Sequence, residues 1–416
     1  MVNGHSVECT LHPIGRPSSR IAERIERLQS GQSGRAACLA EPGALTCHSV
    51  TAQARFVGAS TVGLRGEERA IGSGGRVRFA LGTFSSGDSP PFAGLVLDGK
   101  VAALSGLERF FHQHQLEMSG ADSVLSLLEN WDNNLTALER AADLLGDGRT
   151  ANGPEQAAFV AVDQLKLHPP VKLPRQIFCS GANYRKHVID LIVDHAGPDT
   201  KGMSTDERRA YATKMMDERA ARGTPYFFFK APSAVTGPCD PIILPSNSEQ
   251  PDWELELAVV IGRAARHVRR DDALAVVAGY TIANDITNRD LVTRSDLKAL
   301  GTDWLRGKSM PSFLPMGPYL VPARFVGDPQ ALQITLKLNG QVMQDESTAD
   351  MIFDVTRLIE DLSSYIQLWP GDMIITGSPS GNGTHYNRYL RPGDVVEGSI
   401  TGLGAQRNEC IAETVS

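Results

Sequence analysis

Apolar residues in this chain recur mostly at strand spacing, in short runs closed by Gly, Pro, Asn or Asp, and only locally at helical spacing. From about residue 76 the alternation predicts strands over 77–84 and 92–104, the second folded back at Asp98-Gly99, a pair suited to a two-residue hairpin turn. Asp122 is then placed to cap a helix whose apolar face runs through Val124, Leu125, Leu127 and Leu128 and continues at Leu135, Leu138 and Leu144 up to Gly146. The prolines between His168 and Pro174 interrupt regular structure, so a boundary is expected at about 170.

Beyond it, short strands dominate: 176–179, 226–230, 253–261, 279–283, 332–338, 373–376 and 395–400, with Asn339-Gly340 marking a second hairpin. Only 353–365 reads as a clear helix there, with Val355, Leu358, Ile359 and Leu362 on one face. A mixed, strand-dominated α+β fold is therefore expected. Strands do not alternate with long helices, which disfavours a doubly wound dinucleotide fold. Between residues 194 and 223 lies an insertion in which Ser204 and Glu207 have capping-box spacing. A charged helix to 221 follows from it, with Tyr211 and Met215 on its thin apolar face.

Residues 1–75 differ from the rest: Arg occurs without Lys, Ser, Gly and Ala abound, and periodicity is nearly absent except at Ile21, Ile25 and Leu28. They read as a disordered tail. The expected organisation is a tail (1–75), a small N-terminal β/α domain (76–170) and a larger domain (171–416) carrying the 194–223 insertion.

With 41 Lys plus Arg against 48 Asp plus Glu, the net charge is −7, and no basic block marks a nucleic-acid or membrane-surface partner. No apolar run has the roughly 18 residues of a membrane span, and no secretory h-region opens the chain. Six scattered cysteines without a C-x-x-C pair fit a reducing compartment. The expectation is a cytoplasmic protein with a small-molecule partner. Familiar motifs fail on inspection. Five residues separate Gly301 from Gly307-Lys308-Ser309 where a P-loop has four, and Pro379 stands at the nucleophile position of a serine-hydrolase elbow.

Acidic residues carry the chemistry. On a strand, Glu254 and Glu256 share one face while Trp253, Leu255 and Leu257 take the other. Two acids at this spacing usually face water, but Val259, Val260 and Ile261 are apolar on both faces, so the strand enters a core where unpaired carboxylates are costly without a cation. A third acid, Asp285, ends the apolar run 279–283; locally it is as well suited to capping a helix. Three carboxylates without nearby Cys or His suit a hard cation, Mg²⁺, or else Mn²⁺ or Ca²⁺.

Taken in order, Gly181-Ala182-Asn183-Tyr184-x-x-His187, Glu254-x-Glu256, Asn284-Asp285-x-Thr287-x-Arg289-Asp290, Gly307-Lys308-Ser309 and Pro370-Gly371-Asp372-x-Ile374-x-Thr376-Gly377-x-Pro379-x-Gly381 resemble the signature of the fumarylacetoacetate hydrolase family over about residues 175–405. That resemblance implies a mixed β-sandwich roll as the catalytic domain. It also implies a metal held by Glu254, Glu256 and Asp285, His187 supported by Asp190 as general base, and Lys308 supplying positive charge. Tyr184, Arg289 and Thr376 are implied as substrate contacts. The expected activity is metal-dependent hydrolysis of a C–C bond in an acylpyruvate or β-diketo acid, in a homodimer. Decarboxylation, isomerisation or dehydration of a 2-oxo acid on the same scaffold, and an inactive metal-stabilised binding protein, are the alternatives. Several positions depart from the family pattern: Asp190 replaces a usual Glu, Asn288 a usual Ala, Val292 a substrate-binding Gln, and Ser180 stands near a fourth acidic ligand.

Overall fold

A computed structural model describes residues 78–146, 159–297, 299 and 301–414. The helix anticipated around Ile21 and the whole of the expected tail lie outside these residues. Strands β1 (Ala80–Ser85), β2 (Phe92–Leu97), β3 (Lys100–Ala103), β4 (Phe159–Ala161) and β5 (Lys166–His168) form one antiparallel sheet in the order β4-β3-β2-β1-β5. The Asp98-Gly99 turn forms as its sequence predicts, both residues having positive φ (46° and 73°). The helical pattern at 122–146 differs from expectation. Ser123, not Asp122, accepts the capping bond, from the Ser126 N–H, and the pattern splits into Val124–Leu128 and α1 (Trp131–Gly146).

A six-stranded sheet forms the centre. In chain order it contains β6 (Ile177–Gly181), β7 (Tyr226–Phe229), β9 (Leu255–Ile261), β10 (Val277–Asn284), β11 (Val321–Pro322) and β14 (Met373–Ile375), with lateral order β11-β10-β9-β14-β6-β7. A third sheet contains β8 (Ile242–Leu244), β12 (Gln333–Leu338), β13 (Gln341–Ser347), β15 (Val395–Ile400) and β16 (Gly404–Ala412), ordered β13-β12-β15-β16-β8. Every residue of β9 and β10 is buried, which is why their sequences are apolar on both faces rather than alternating. Asn339-Gly340 joins β12 to β13, again with positive φ at both residues.

Helices cover this framework. The expected helix at 353–365 is α4 (Val355–Tyr365), begun by Asp354, whose side chain accepts from the Arg357 N–H. Two α-helices lie between β6 and β7. One, α2 (Arg185–Asp194), was not anticipated: its short, polar-interrupted sequence hides the period. The other, α3 (Thr205–Arg222), is the insertion helix, with the Ser204–Glu207 capping box formed in both directions. Its buried face is shifted by one residue from the expected one. Ala212 and Met216 pack with Ile189 and Val193 of α2, while Tyr211 is exposed. The insertion is therefore a helix packed against α2. Among the described residues no helix is long and apolar enough to cross a membrane.

Candidate functional site

The strand order explains how three distant acids meet. Glu254 directly precedes β9 and Asp285 directly follows β10; these strands pair antiparallel with Leu255 opposite Asn284, so the start of one lies beside the end of the other. The Asp285 N–H donates to the Glu254 carbonyl at 2.8 Å, and the Asn284 side chain accepts from the Glu254 N–H at 2.9 Å. Glu256, two residues on, projects from the same face as Glu254. One oxygen from each of Glu254, Glu256 and Asp285 lies within 4.8 Å of the others, all three residues being buried. Mg²⁺–oxygen bonds are about 2.1 Å, so oxygens sharing one ion are at most about 4.2 Å apart, and small side-chain movements close the gap. Three hard oxygen donors fit a divalent cation of that kind, and Asp285 is no helix cap.

Basic residues surround the acids. Lys308 Nζ is 2.5 Å from Glu254 Oε2 and 2.6 Å from Asp285 Oδ2. It also lies 5.2 Å from the centre of the Phe228 ring. Lys230, at the end of β7, places Nζ 2.5 Å from Asp285 Oδ1. Arg289 spans two acids, with Nη2 2.5 Å from Glu254 Oε1 and Nε 2.9 Å from Asp252 Oδ2. Lys230 and Asp252 were not singled out from the sequence: one reads as the end of an aromatic strand, the other as the residue just before the Trp253–Ile261 run.

These neighbours divide the two glutamates. Burial by itself would raise the Glu254 carboxyl, but the Arg289 and Lys308 charges outweigh it and hold the pKa at about 2. Glu256 goes the other way. Burial, reinforced by the charges of Asp285 and Glu254, pushes its carboxyl well above the usual range, although the Gly377 N–H donates to Oε2 at 2.5 Å. That donor requires glycine: Gly377 has φ of 100°, and a Cβ there would lie 2.8 Å from Asn183 Cβ and 3.0 Å from the Ser180 carbonyl oxygen.

His187 lies on the first turn of α2, which is docked by Asn183: its amide donates to the Phe353 and Thr376 carbonyls and accepts from the Phe353 N–H. Burial lowers the His187 pKa to about 4, so the ring is neutral near pH 7, and its buried Nδ1 has no hydrogen-bond partner among the described residues. Asp190 departs from its expected role as the support of His187. Its carboxylate instead accepts from Lys186 Nζ and Ser380 Oγ, each at 3.0 Å, and from Arg209 at 3.4 Å. One turn apart on a helix, the two side chains are neighbours, but the shorter Asp reaches other donors. Thr376 uses its hydroxyl proton on the Leu257 carbonyl at 2.9 Å. Tyr184 is fully buried, and that burial, with the nearby Glu256 charge, holds its hydroxyl well above the ordinary pKa.

A pH dependence of stability follows from His187. Between about pH 6.5 and 4 the unfolded chain takes up a proton at this ring that the folded chain excludes, so stability falls as pH drops through that window. Denaturant unfolding at pH 7 and pH 5 should show wild type losing about 2 kcal/mol more than His187→Gln; equal losses would remove the buried neutral ring from the account.

A family model described as fumarylacetoacetate (FAA) hydrolase C-terminal matches residues 176–411. The chain is 46% identical over 188 residues to 2,4-didehydro-3-deoxy-L-rhamnonate hydrolase of Sphingomonas sp. (strain SKA58), covering 44% of this chain and 64% of that protein. It is 33% identical over 276 residues to the mitochondrial oxaloacetate tautomerase Fahd2a of Rattus norvegicus, covering 66% and 78%. Among solved structures, maleylpyruvate hydrolase from Sphingobium sp. SYK-6, in complex with manganese(II) and pyruvate, superposes with a TM-score of 0.56 at 25% identity. That match covers 80% of this chain and all of the other.

Proposed function

The chain belongs to the fumarylacetoacetate hydrolase family, and from that premise we propose that it is a divalent-cation-dependent hydrolase cleaving a C–C bond in an acylpyruvate or β-diketo acid. The observation that carries this reading is the buried Glu254–Glu256–Asp285 cluster with, on the adjoining helix, a neutral histidine nitrogen unpartnered among the described residues. Relatives that are hydrolases of oxo-acid substrates, one of them holding manganese and pyruvate, support it.

A cation held by the three carboxylates, Mg²⁺ or Mn²⁺, supplies Lewis acidity that favours negative charge on the oxygens of the 2-oxo acid. The chain's own residues do the rest. Neutral His187 accepts a proton from water, whose oxygen adds to the distal carbonyl carbon. The C–C bond then breaks, its electron pair passes to the carbon beside the 2-oxo group as an enolate, and protonation of that carbon yields the two acids. Lys308, fixed between Glu254 and Asp285, offsets the charge developing on oxygen, and Arg289 holds the substrate's oxygens, whereas Thr376, whose hydroxyl and N–H both donate to the Leu257 carbonyl, has no donor left for them. Asp190 anchors α2 to Lys186 and Ser380 and so keeps His187 in place.

A second reading rests on the tautomerase relative, which is matched over more of its length than the rhamnonate hydrolase. The same residues, without attack by water, would move a proton between carbon and oxygen of a 2-oxo acid. Both readings require the cation. Treatment with EDTA should abolish turnover and Mg²⁺ or Mn²⁺ should restore it; undiminished activity with chelator in excess would contradict the reading.

A further inference from the structure

Asp252 is fully buried yet belongs neither to the carboxylate cluster nor to the hydrophobic core. Its oxygens are used completely. Oδ1 accepts from the Trp253 N–H at 2.8 Å and the Gly383 N–H at 2.5 Å, while Oδ2 accepts from Arg289 Nε at 2.9 Å, the Thr384 N–H at 3.1 Å and Thr384 Oγ1 at 3.0 Å. Gly383 must be glycine for this approach, because a Cβ would fall 2.6 Å from Asp252 Oδ1 and 2.2 Å from the Arg388 carbonyl oxygen. The acid thus joins two pieces of chain far apart in sequence, the turn at 383–384 and the guanidinium of Arg289.

Arg289 shows why that junction matters. Nε is taken by Asp252 and Nη2 by Glu254, which fixes the plane of the guanidinium and leaves Nη1 outside both contacts. Its side chain keeps 22% of its surface accessible. A planar fork held at two corners presents its third in one direction; a lysine, a point charge on a flexible stem, would not. We infer that Asp252 is a positioning residue that aims Arg289 at the carboxylate of a 2-oxo acid substrate. This rests on the proposed function, in which Arg289 is a substrate contact, and adds the residue that orients it.

The sign of one measurement separates positioning from simple field effects. Removing a negative charge near an anion site strengthens anion binding if only the field matters. Positioning demands the opposite. Pyruvate binding to the Mn²⁺-loaded full chain, measured by calorimetry, should weaken about tenfold in Asp252→Asn and similarly in Arg289→Gln. The double variant should stay within about threefold of Arg289→Gln alone, because two residues acting as one unit do not add. Arg289→Lys should also weaken pyruvate about tenfold, since a lysine cannot satisfy Asp252 and Glu254 together and still point outward.

Pyruvate bound by Asp252→Asn as tightly as by wild type, or more tightly, would overturn the inference. So would a double variant tenfold weaker than Arg289→Gln. Should Asp252→Asn fail to fold, the Arg289→Lys comparison decides: unchanged affinity there means that orientation is irrelevant. An Arg289→Gln variant binding pyruvate normally would instead reject Arg289 as a substrate contact, and the inference falls with it.

Discussion

Replacing Glu256 by Gln should abolish divalent-cation binding and lower turnover by at least about a thousandfold, while leaving the thermal stability of the cation-free protein nearly unchanged. The last clause is the unusual one. Burial and the charges of Asp285 and Glu254 push the Glu256 carboxyl up, which favours its protonated form while no cation is bound. Glutamine imitates that neutral group and can still accept from the Gly377 N–H. Glu254→Gln should behave differently, because Glu254 is the ionised partner of both Arg289 and Lys308, and its loss takes one of two acidic partners from each, leaving Arg289 with Asp252 and Lys308 with Asp285. It should destabilise the fold by about 3 kcal/mol. Cation uptake should also release a proton from Glu256 and tighten as pH rises; calorimetry in buffers of different ionisation enthalpy reads both. A Glu256→Gln protein that binds Mn²⁺ like wild type would remove this residue from the cation site.

His187→Ala should lower kcat by about 10²- to 10⁴-fold, within the range of a lost general base, with Mn²⁺ affinity changed by less than about threefold. The separation is possible because His187 lies outside the carboxylate cluster. Its Nδ1 is buried without a partner among the described residues, and its low pKa keeps it able to accept a proton at neutral pH. Accordingly, the acid limb of the pH profile should not be set by this ring near 6.5 but closer to 4. Steady-state rates beside direct Mn²⁺ binding provide the check; normal kcat in His187→Ala would reassign the base.

How far the sequence revealed this site depended on how local each signal was. Glu254 and Glu256 were legible because strand alternation and the apolar run after them leave two acids on a face entering a core. The fold class was legible for the same reason, together with the Asp98-Gly99 and Asn339-Gly340 turns. Asp285 needed the antiparallel pairing that brings the end of β10 beside the start of β9, and local sequence suggested a helix cap equally well. Lys230 and Asp252 were hidden, since nothing near either residue indicates its partner; Lys230 meets Asp285 and Asp252 meets Gly383 only through tertiary structure. Asp190 failed in the other direction. The family resemblance implied direct support of His187, whereas Lys186 and Ser380 capture the shorter side chain.

The most direct test follows the reaction itself in ¹⁸O-labelled water. The Mg²⁺-loaded protein would be incubated with a panel of acylpyruvates and its products identified by mass. Hydrolysis predicts two acid fragments, with the label in the new carboxylate of the acyl fragment and pyruvate released beside it. A product of unchanged mass, or one lacking only CO₂, would contradict C–C hydrolysis and assign the same carboxylates and histidine to tautomerisation or decarboxylation.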